Sequence, residues 1–215
     1  MYNVPHFKAS HPEEIKEFMM HHPFIVLCGS KPDGSPVATH IPVLIEEREG
    51  KLYLLAHVMK KQAHTEAFRE NDLVLAIFYG PHSYVSASWY TNPKIASTWN
   101  YQAVHAAGIL RFLDDQGLLQ VLTRLTDKFE DNPHSPALVK HLDEEYLKKM
   151  MQAITAFEIE ITSIEHVFKL SQNRDEESYQ SIIDHLQAGS ADAQAIASEM
   201  LERHAHPLNQ KSKEF

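Results

Sequence analysis

The chain has 215 residues, with 20 Lys and Arg against 29 Asp and Glu, and a formal net charge of −9 when its 15 histidines are neutral. A composition that is 43% hydrophobic and 23% charged excludes a largely disordered or collagen-like polypeptide. The acidic balance argues against the broad cationic face on which nonspecific nucleic-acid affinity depends. The longest apolar runs, at 24–27 and 52–56, are far shorter than the roughly 20 residues that cross a bilayer. Met1 to His6 lacks the basic and then apolar start of a secretory signal, so a cytoplasmic protein without membrane contact is expected. One cysteine, Cys28, leaves no internal disulfide and no thiolate metal site, and its apolar setting reads as a buried spectator thiol.

Taken in chain order, Ser10 and Glu13 have the spacing of a capping box, and Ile15, Phe18 and Met19 recur at helical intervals. That predicts a helix over about 12–21, ended before Pro23. Strands are predicted over 24–29, 36–46 and 51–57, separated by Pro32-Asp33-Gly34 and by Glu47-Arg48-Glu49-Gly50, both of them turn chemistry for an antiparallel meander. Residues 60–70 lack Gly and Pro and place Ala63, Ala67 and Phe68 on one side, which suits a helix packed on the sheet. Further strands are predicted over 73–79 and 104–113, the second ended by the turn 114–117. Residues 118–130 form an amphipathic helix, 144–151 another, and 155–167 alternate as a half-exposed strand. From Asp175, two helices divided by Gly189-Ser190 are rich in Ala and Glu and read as peripheral. About six strands, several joined as hairpins, fit a small closed or split barrel, so the expected class is α+β and mainly β. The domain reading is a barrel at 1–172 and a helical C-terminal appendage at 173–215.

The chemistry concentrates in residues 79–101. Both tryptophans, Trp89 and Trp99, and four of the eight tyrosines lie there, while Lys94 is the only Lys, Arg, Asp or Glu. Aromatic faces can stack a planar ligand, and Ser86, Ser88, Ser97, Thr98 and Asn100 offer donors and acceptors to orient it. The same composition also suits packing at a barrel end or subunit interface, and both readings stand at this point. Fifteen histidines give no clear metal set: His21 and His22 are adjacent and point to different sides of a helix, and His204 and His206 are two apart near the end. No metal is expected.

Several runs carry a resemblance: Gly80 through Tyr90; Ser97-Thr98-Trp99-Asn100-Tyr101 with Val104-His105 and Gly108; and Lys169-Leu170-Ser171-Gln172-Asn173. With Met1-Tyr2, Pro5-His6-Phe7 and His40-Ile41-Pro42, they resemble the PaiB-type FMN-binding negative transcriptional regulators over residues 1 to about 176. The resemblance implies an FMN-binding split barrel, similar to pyridoxamine-phosphate oxidases and some haem-degrading proteins, and a homodimer with flavin where the two barrels meet.

FMN requires aromatic surface for its ring, hydrogen-bond partners for its pyrimidine edge and donors for its phosphate. For the phosphate the resemblance points to Lys60 first, supported by His57 and Gln62, with a helix beginning near Lys60 adding free N–H groups. Thr39 and His40 on the second strand join the cofactor set. The chain departs from the family pattern at Met59, Gln62 and Thr65. For the ring the resemblance implies Ser86, Ser88, Trp89, Trp99 and Asn100; the family's Ser-Pro-Ser-Trp-Tyr is Ser86-Ala87-Ser88-Trp89-Tyr90 here. Lys169 and Gln172 close the site from the same or the partner subunit, or else form a capped turn before the helix at Asp175. The role implied is a negative transcriptional regulator or flavin-dependent sensor, the alternative a flavin-dependent oxidoreductase with His40, His57, His82 and His105 as acid–base candidates. Without a basic recognition helix, DNA as a partner has no support from charge.

Overall fold

A computed structural model describes residues 1–9, 11–92 and 94–205. Seven strands and six α-helices follow in the order α1 (Pro12–His21), β1 (Phe24–Ser30), β2 (Pro36–Pro42), β3 (Leu44–Arg48), β4 (Lys51–Met59), α2 (Ala63–Glu70), β5 (Leu73–Val85), β6 (Thr98–Phe112), α3 (Asp115–Glu130), α4 (Glu144–Ala153), β7 (Ile154–Lys169), α5 (Glu176–Gln187) and α6 (Ala191–Ala205). The strands form one sheet in the order β2-β1-β5-β6-β7-β4-β3. The β1–β2, β1–β5, β3–β4 and β4–β7 pairs are antiparallel. Ser10, half of the expected capping box, and His206 lie outside the described residues.

The strand expected over 36–46 is two strands. Phe24 pairs with Pro42 and Leu44 with Leu55, so the chain changes partners at Val43, whose N–H goes to the Pro23 carbonyl at 2.8 Å. Pro42 has no N–H to carry a ladder onward, which is the physical reason for the break. Beyond it, Arg48 faces Lys51 across the two-residue turn Glu49-Gly50, whose positive φ values of 52° and 75° match the twist of a hairpin.

The strands β5 and β6 also run further than expected, to Val85 and from Thr98. The two ends of the uncharged aromatic stretch are therefore pleated strand, with a 3₁₀ turn at Ala87–Trp89 between. β-branched and aromatic side chains fit that half-buried surface. The turn expected at 114–117 is instead the start of α3, because the Asp114 carboxylate accepts from the Gly117 N–H at 2.8 Å and caps the helix.

Packing divides the chain into two compact units, one of residues Met1–Phe18, Tyr79–Val104 and Glu165 onward, the other of Met19–Phe78 and His105–Ile164. In the second unit, α3 sets Leu118, Val121 and Leu125 against Leu44, Leu55, Ile154 and Ala156. Gly108 on β6 lies so near β7 that a Cβ there would stand 2.5 Å from the Glu160 carbonyl oxygen, so only glycine fits.

In the first unit, α5 buries Tyr179, Ile182, Ile183 and Leu186 at helical spacing, with Val85, Tyr90 and Leu170 in the same cluster. On α6, Ala193 and Ala197 keep the surface low beside Ile196 and Met200. The C-terminal helices expected to be peripheral thus hold a hydrophobic core, each large side chain contributing about 1.5–3 kcal/mol by leaving water. Composition hid this because few residues of that segment are aromatic, whereas the spacing of its aliphatic residues is helical. Among the described residues no helix is long and apolar enough to cross a membrane, and no group of three His, Cys, Asp or Glu is placed to hold a metal.

Candidate functional site

In the first unit, β5 carries Tyr79, His82 and Tyr84, and β6 carries Trp99 and Tyr101. The ring centres of His82 and Tyr84 each lie 5.9 Å from that of Trp99, the tyrosine edge-on. Trp99 keeps 52% of its surface exposed, and Tyr79 and Tyr84 are nearly as open. Beside them is a concavity of about 270 Å³ lined by Tyr79, Gly80, His82, Trp99, Tyr101, Gln102 and Ala103. Gln102 is almost fully buried, and its Nε2 donates to Glu199 at 3.3 Å. Its Oε1 is buried with no partner among the described residues, an acceptor short of a donor.

The other ring-side residues are distributed around this surface in different ways. The Ser86 hydroxyl accepts from the Ser88 N–H at 3.2 Å and lies 2.8 Å from the Ser88 hydroxyl, so these two side chains are paired in the exposed 3₁₀ turn. Trp89 is not in the exposed strip: it stacks on His185 of α5, 4.8 Å between ring centres and 13° from parallel. Asn100 is fully buried and both ends of its amide are engaged, Oδ1 accepting from Ser171 at 3.0 Å and Nδ2 facing the Met200 sulfur at 3.5 Å.

The segment after β7 is a tightly determined turn. Ser171 adopts φ +62°, a left-handed conformation uncommon for a residue with a Cβ. Gln172 brackets it, accepting from the Leu170 N–H at 2.7 Å and donating to the Phe168 carbonyl. Lys169 Nζ donates to the Thr98 hydroxyl and sits 6.0 Å and 5.7 Å from the ring centres of Tyr2 and Phe7. Burial, and then the charge of Arg174, push the Lys169 ammonium below the usual lysine range. The Asp175 carboxylate caps α5 by accepting from the Ser178 N–H at 2.9 Å, which, with the Ser178 hydroxyl, holds it below the ordinary aspartate range.

The remaining predicted residues belong to the second unit. Thr39 is half-buried on β2 opposite Leu27, and exposed His40 stacks with Phe24 at 6.2 Å. His57 on β4 has a buried Nδ1 with no partner among the described residues, and burial pushes its imidazole below the usual histidine range. The helix expected to begin near Lys60 starts at Ala63, because the Lys60 N–H is used by the Ala153 carbonyl at 2.9 Å and Gln62 is the extended N-cap residue. Lys60 Nζ donates to the Met151 carbonyl at 3.2 Å. Gln62 makes no side-chain capping bond, while Thr65 spends its hydroxyl on the Met59 carbonyl at 2.8 Å. Cys28 is half-buried rather than buried. It lines a groove of about 500 Å³ with Leu73 and Gly108, and its burial pushes the thiol upward, against a nucleophilic role.

Sequence reasoning missed two residues here. Gln102 carries no signal beyond lying three positions past Trp99. Arg174 directly follows Lys169-Leu170-Ser171-Gln172-Asn173, and extending that run by one residue would have found it.

Comparison with known proteins gives a consistent picture. Residues 1–163 match the model of the family described as "Putative FMN-binding domain". The chain is 34% identical to "Protease synthase and sporulation protein PAI 2" of Bacillus subtilis (strain 168) over 187 residues, 87% of this chain and 89% of that protein. Among solved structures, the FAD and heme binding protein from Mycobacterium smegmatis is similar with a TM-score of 0.57 at 18% identity, covering 80% of this chain and 78% of that one. The flavocytochrome Anf3 from Azotobacter vinelandii is similar with a TM-score of 0.53 at 17% identity, covering 80% and 74%. The α+β split-barrel expectation is borne out by these folds. By the extent of the family match and the likeness to PAI 2, the chain belongs to the FMN-binding domain family, as a flavin-binding split barrel whose cofactor is FMN.

Proposed function

We propose that the protein works as a homodimeric, flavin-dependent sensor that acts as a negative regulator of gene expression. One observation carries the flavin side of this reading: a half-exposed indole, flanked by His82 and Tyr84, borders a concavity lined also by Gln102, whose buried Oε1 has no partner among the described residues. An aromatic face left open to water and a buried acceptor lacking a donor are both satisfied by a planar heterocycle that carries an N–H at its edge. FMN has that edge, so the residues present fit it.

In this reading Trp99 stacks the ring and Tyr84, edge-on to the indole, holds it in place; Gln102 accepts from the pyrimidine N–H, and Ser86 and Ser88 offer exposed hydroxyls. Lys169 and Gln172 belong to the same set. Asn100 and Trp89 position others, the first by fixing Ser171 and the second by packing on His185. Lys60, supported by His57 and Gln62, is the proposed phosphate set, in which Lys60 and the His57 Nδ1 without a partner among the described residues are the donors, and Thr39 and His40 are further cofactor residues. When bound, FMN supplies one- and two-electron redox chemistry; the chain's part is to hold and orient it.

The regulatory role is supported by likeness along most of the chain to a relative named for protease synthesis and sporulation. The net charge of −9 assigns no DNA-contacting face, so the reading places no operator contact on this chain. The test is the absorption spectrum of purified protein after incubation with FMN and desalting, followed by NADH and NADPH. Retained flavin that neither nucleotide bleaches fits a sensor; bleaching moves the reading to an oxidoreductase, and no retained flavin ends it. Light scattering that returns one chain's mass would remove the homodimer.

A further inference from the structure

The turn after β7 gathers positive charge without neutralising it. Lys169 and Arg174 are near enough for one charge to disfavour the other, yet neither is paired with a carboxylate among the described residues. Asp175, next in sequence to Arg174, caps α5 and accepts from Thr91, and Glu165, also in this unit, faces the Met1 ammonium at 3.6 Å. Lys8, also in this unit, donates to the Tyr2 and His166 carbonyls at 3.3 and 2.9 Å and so brings a third cation with no carboxylate paired to it among the described residues. Aromatic rings attract these cations, Tyr90 lying 4.3 Å from the Arg174 guanidinium, but a ring carries no countercharge.

Two further features indicate a built site. Arg174 Nε is buried with no partner among the described residues, an unmet donor on the group best shaped for a bidentate oxyanion. The backbone bearing both cations is held in place by the left-handed Ser171, the two hydrogen bonds of Gln172 and the buried Ser171–Asn100 contact. Strain of this kind persists where the surroundings over-determine it, and it clusters where a ligand is clamped.

We propose that this turn is an anion site in which Lys169 and Arg174 grip a phosphate-type dianion. The group is either the phosphate of the flavin or that of a separate phosphorylated ligand, and the first source rests on the flavin reading above. Arg174 supplies parallel N–H donors, Lys169 a compact charge and Thr98 a hydroxyl beside it.

The test follows thermal unfolding of the full chain against inorganic phosphate at constant ionic strength, since a ligand bound only by the folded state raises the midpoint saturably. The wild-type midpoint should climb with phosphate. In Lys169→Met/Arg174→Gln the apparent affinity should fall about tenfold or more, as expected on losing charge-assisted hydrogen bonds. Lys31→Met, an exposed lysine elsewhere, should behave as wild type. Arg174→Gln alone gives a second reading if the double variant fails to fold. FMN and riboflavin titrations then separate the sources. Loss of the preference for FMN over riboflavin, with or without the phosphate response, places the flavin phosphate here and takes that role from Lys60. Loss of the phosphate response with the preference intact points to a separate ligand. Variants that keep both the wild-type phosphate response and the wild-type FMN preference, or a wild type with neither, overturn the site. A protein that takes up no flavin yet loses its phosphate response on mutation fails only the flavin reading.

Discussion

Both units of the molecule hold ion pairs, but they differ at the residues of the candidate site. In the unit of Met19–Phe78 and His105–Ile164, charges are matched across strands and helix: Arg48 reaches Glu158 and Lys51 reaches Glu160, each at 2.6 Å, and Arg124 reaches Glu46 at 2.9 Å. In the unit holding residues 79–104, Lys169 and Arg174 lack such partners and Gln102 keeps an unmet acceptor among the described residues, and Trp99 is half-exposed. Paired surface charges add little to stability and need no ligand, whereas unmet polar atoms and an open indole gain free energy when something covers them. The contrast supports the proposal that the aromatic unit receives the flavin ring, with His57 Nδ1 the unmet polar atom of the other among the described residues.

The strongest effect concerns the C-terminal core. Ile182→Ala, which empties a fully buried position on α5, should destabilise the protein by about 2–5 kcal/mol in denaturant unfolding. A loss below about 1 kcal/mol would mean that the C-terminal helices are peripheral after all. Next, Trp99→Ala should weaken FMN and riboflavin alike by about ten- to a hundredfold, the range for a stacked aromatic, while the unfolding midpoint hardly moves because the side chain is half-exposed. Lys60→Ala sharpens the second unit's part: a loss of about tenfold for FMN, with riboflavin unchanged, is expected if it meets the phosphate. Equal changes for both ligands would remove Lys60 from that role. The smallest effect belongs to Arg48→Met, whose exposed pair with Glu158 should be worth no more than about 1 kcal/mol and should leave flavin affinity untouched.

Elements with strong local signals were legible in the sequence. The hairpin at Glu49-Gly50, the helices α1, α3 and α4 and the alternation of β7 follow from turn chemistry and periodicity confined to a few neighbouring residues. The break at Val43 was not legible, because it depends on which distant strand each half pairs with. The start of α2 was displaced by the Ala153 carbonyl, a partner more than ninety positions away that takes the Lys60 N–H. Of the candidate site, the aromatic strip could be read from composition alone. The engagement of Asn100 with Ser171 and Met200, and the stacking of Trp89 on His185, could not, since each is a contact between residues that only the fold brings together.

Whether the open indole of β6 covers the flavin ring can be read by fluorescence. In Trp89→Phe the only remaining indole is Trp99, and titration with FMN should quench its emission in parallel with flavin uptake. Emission that stays at its unliganded level while the protein fills with FMN would show that the flavin ring lies away from Trp99.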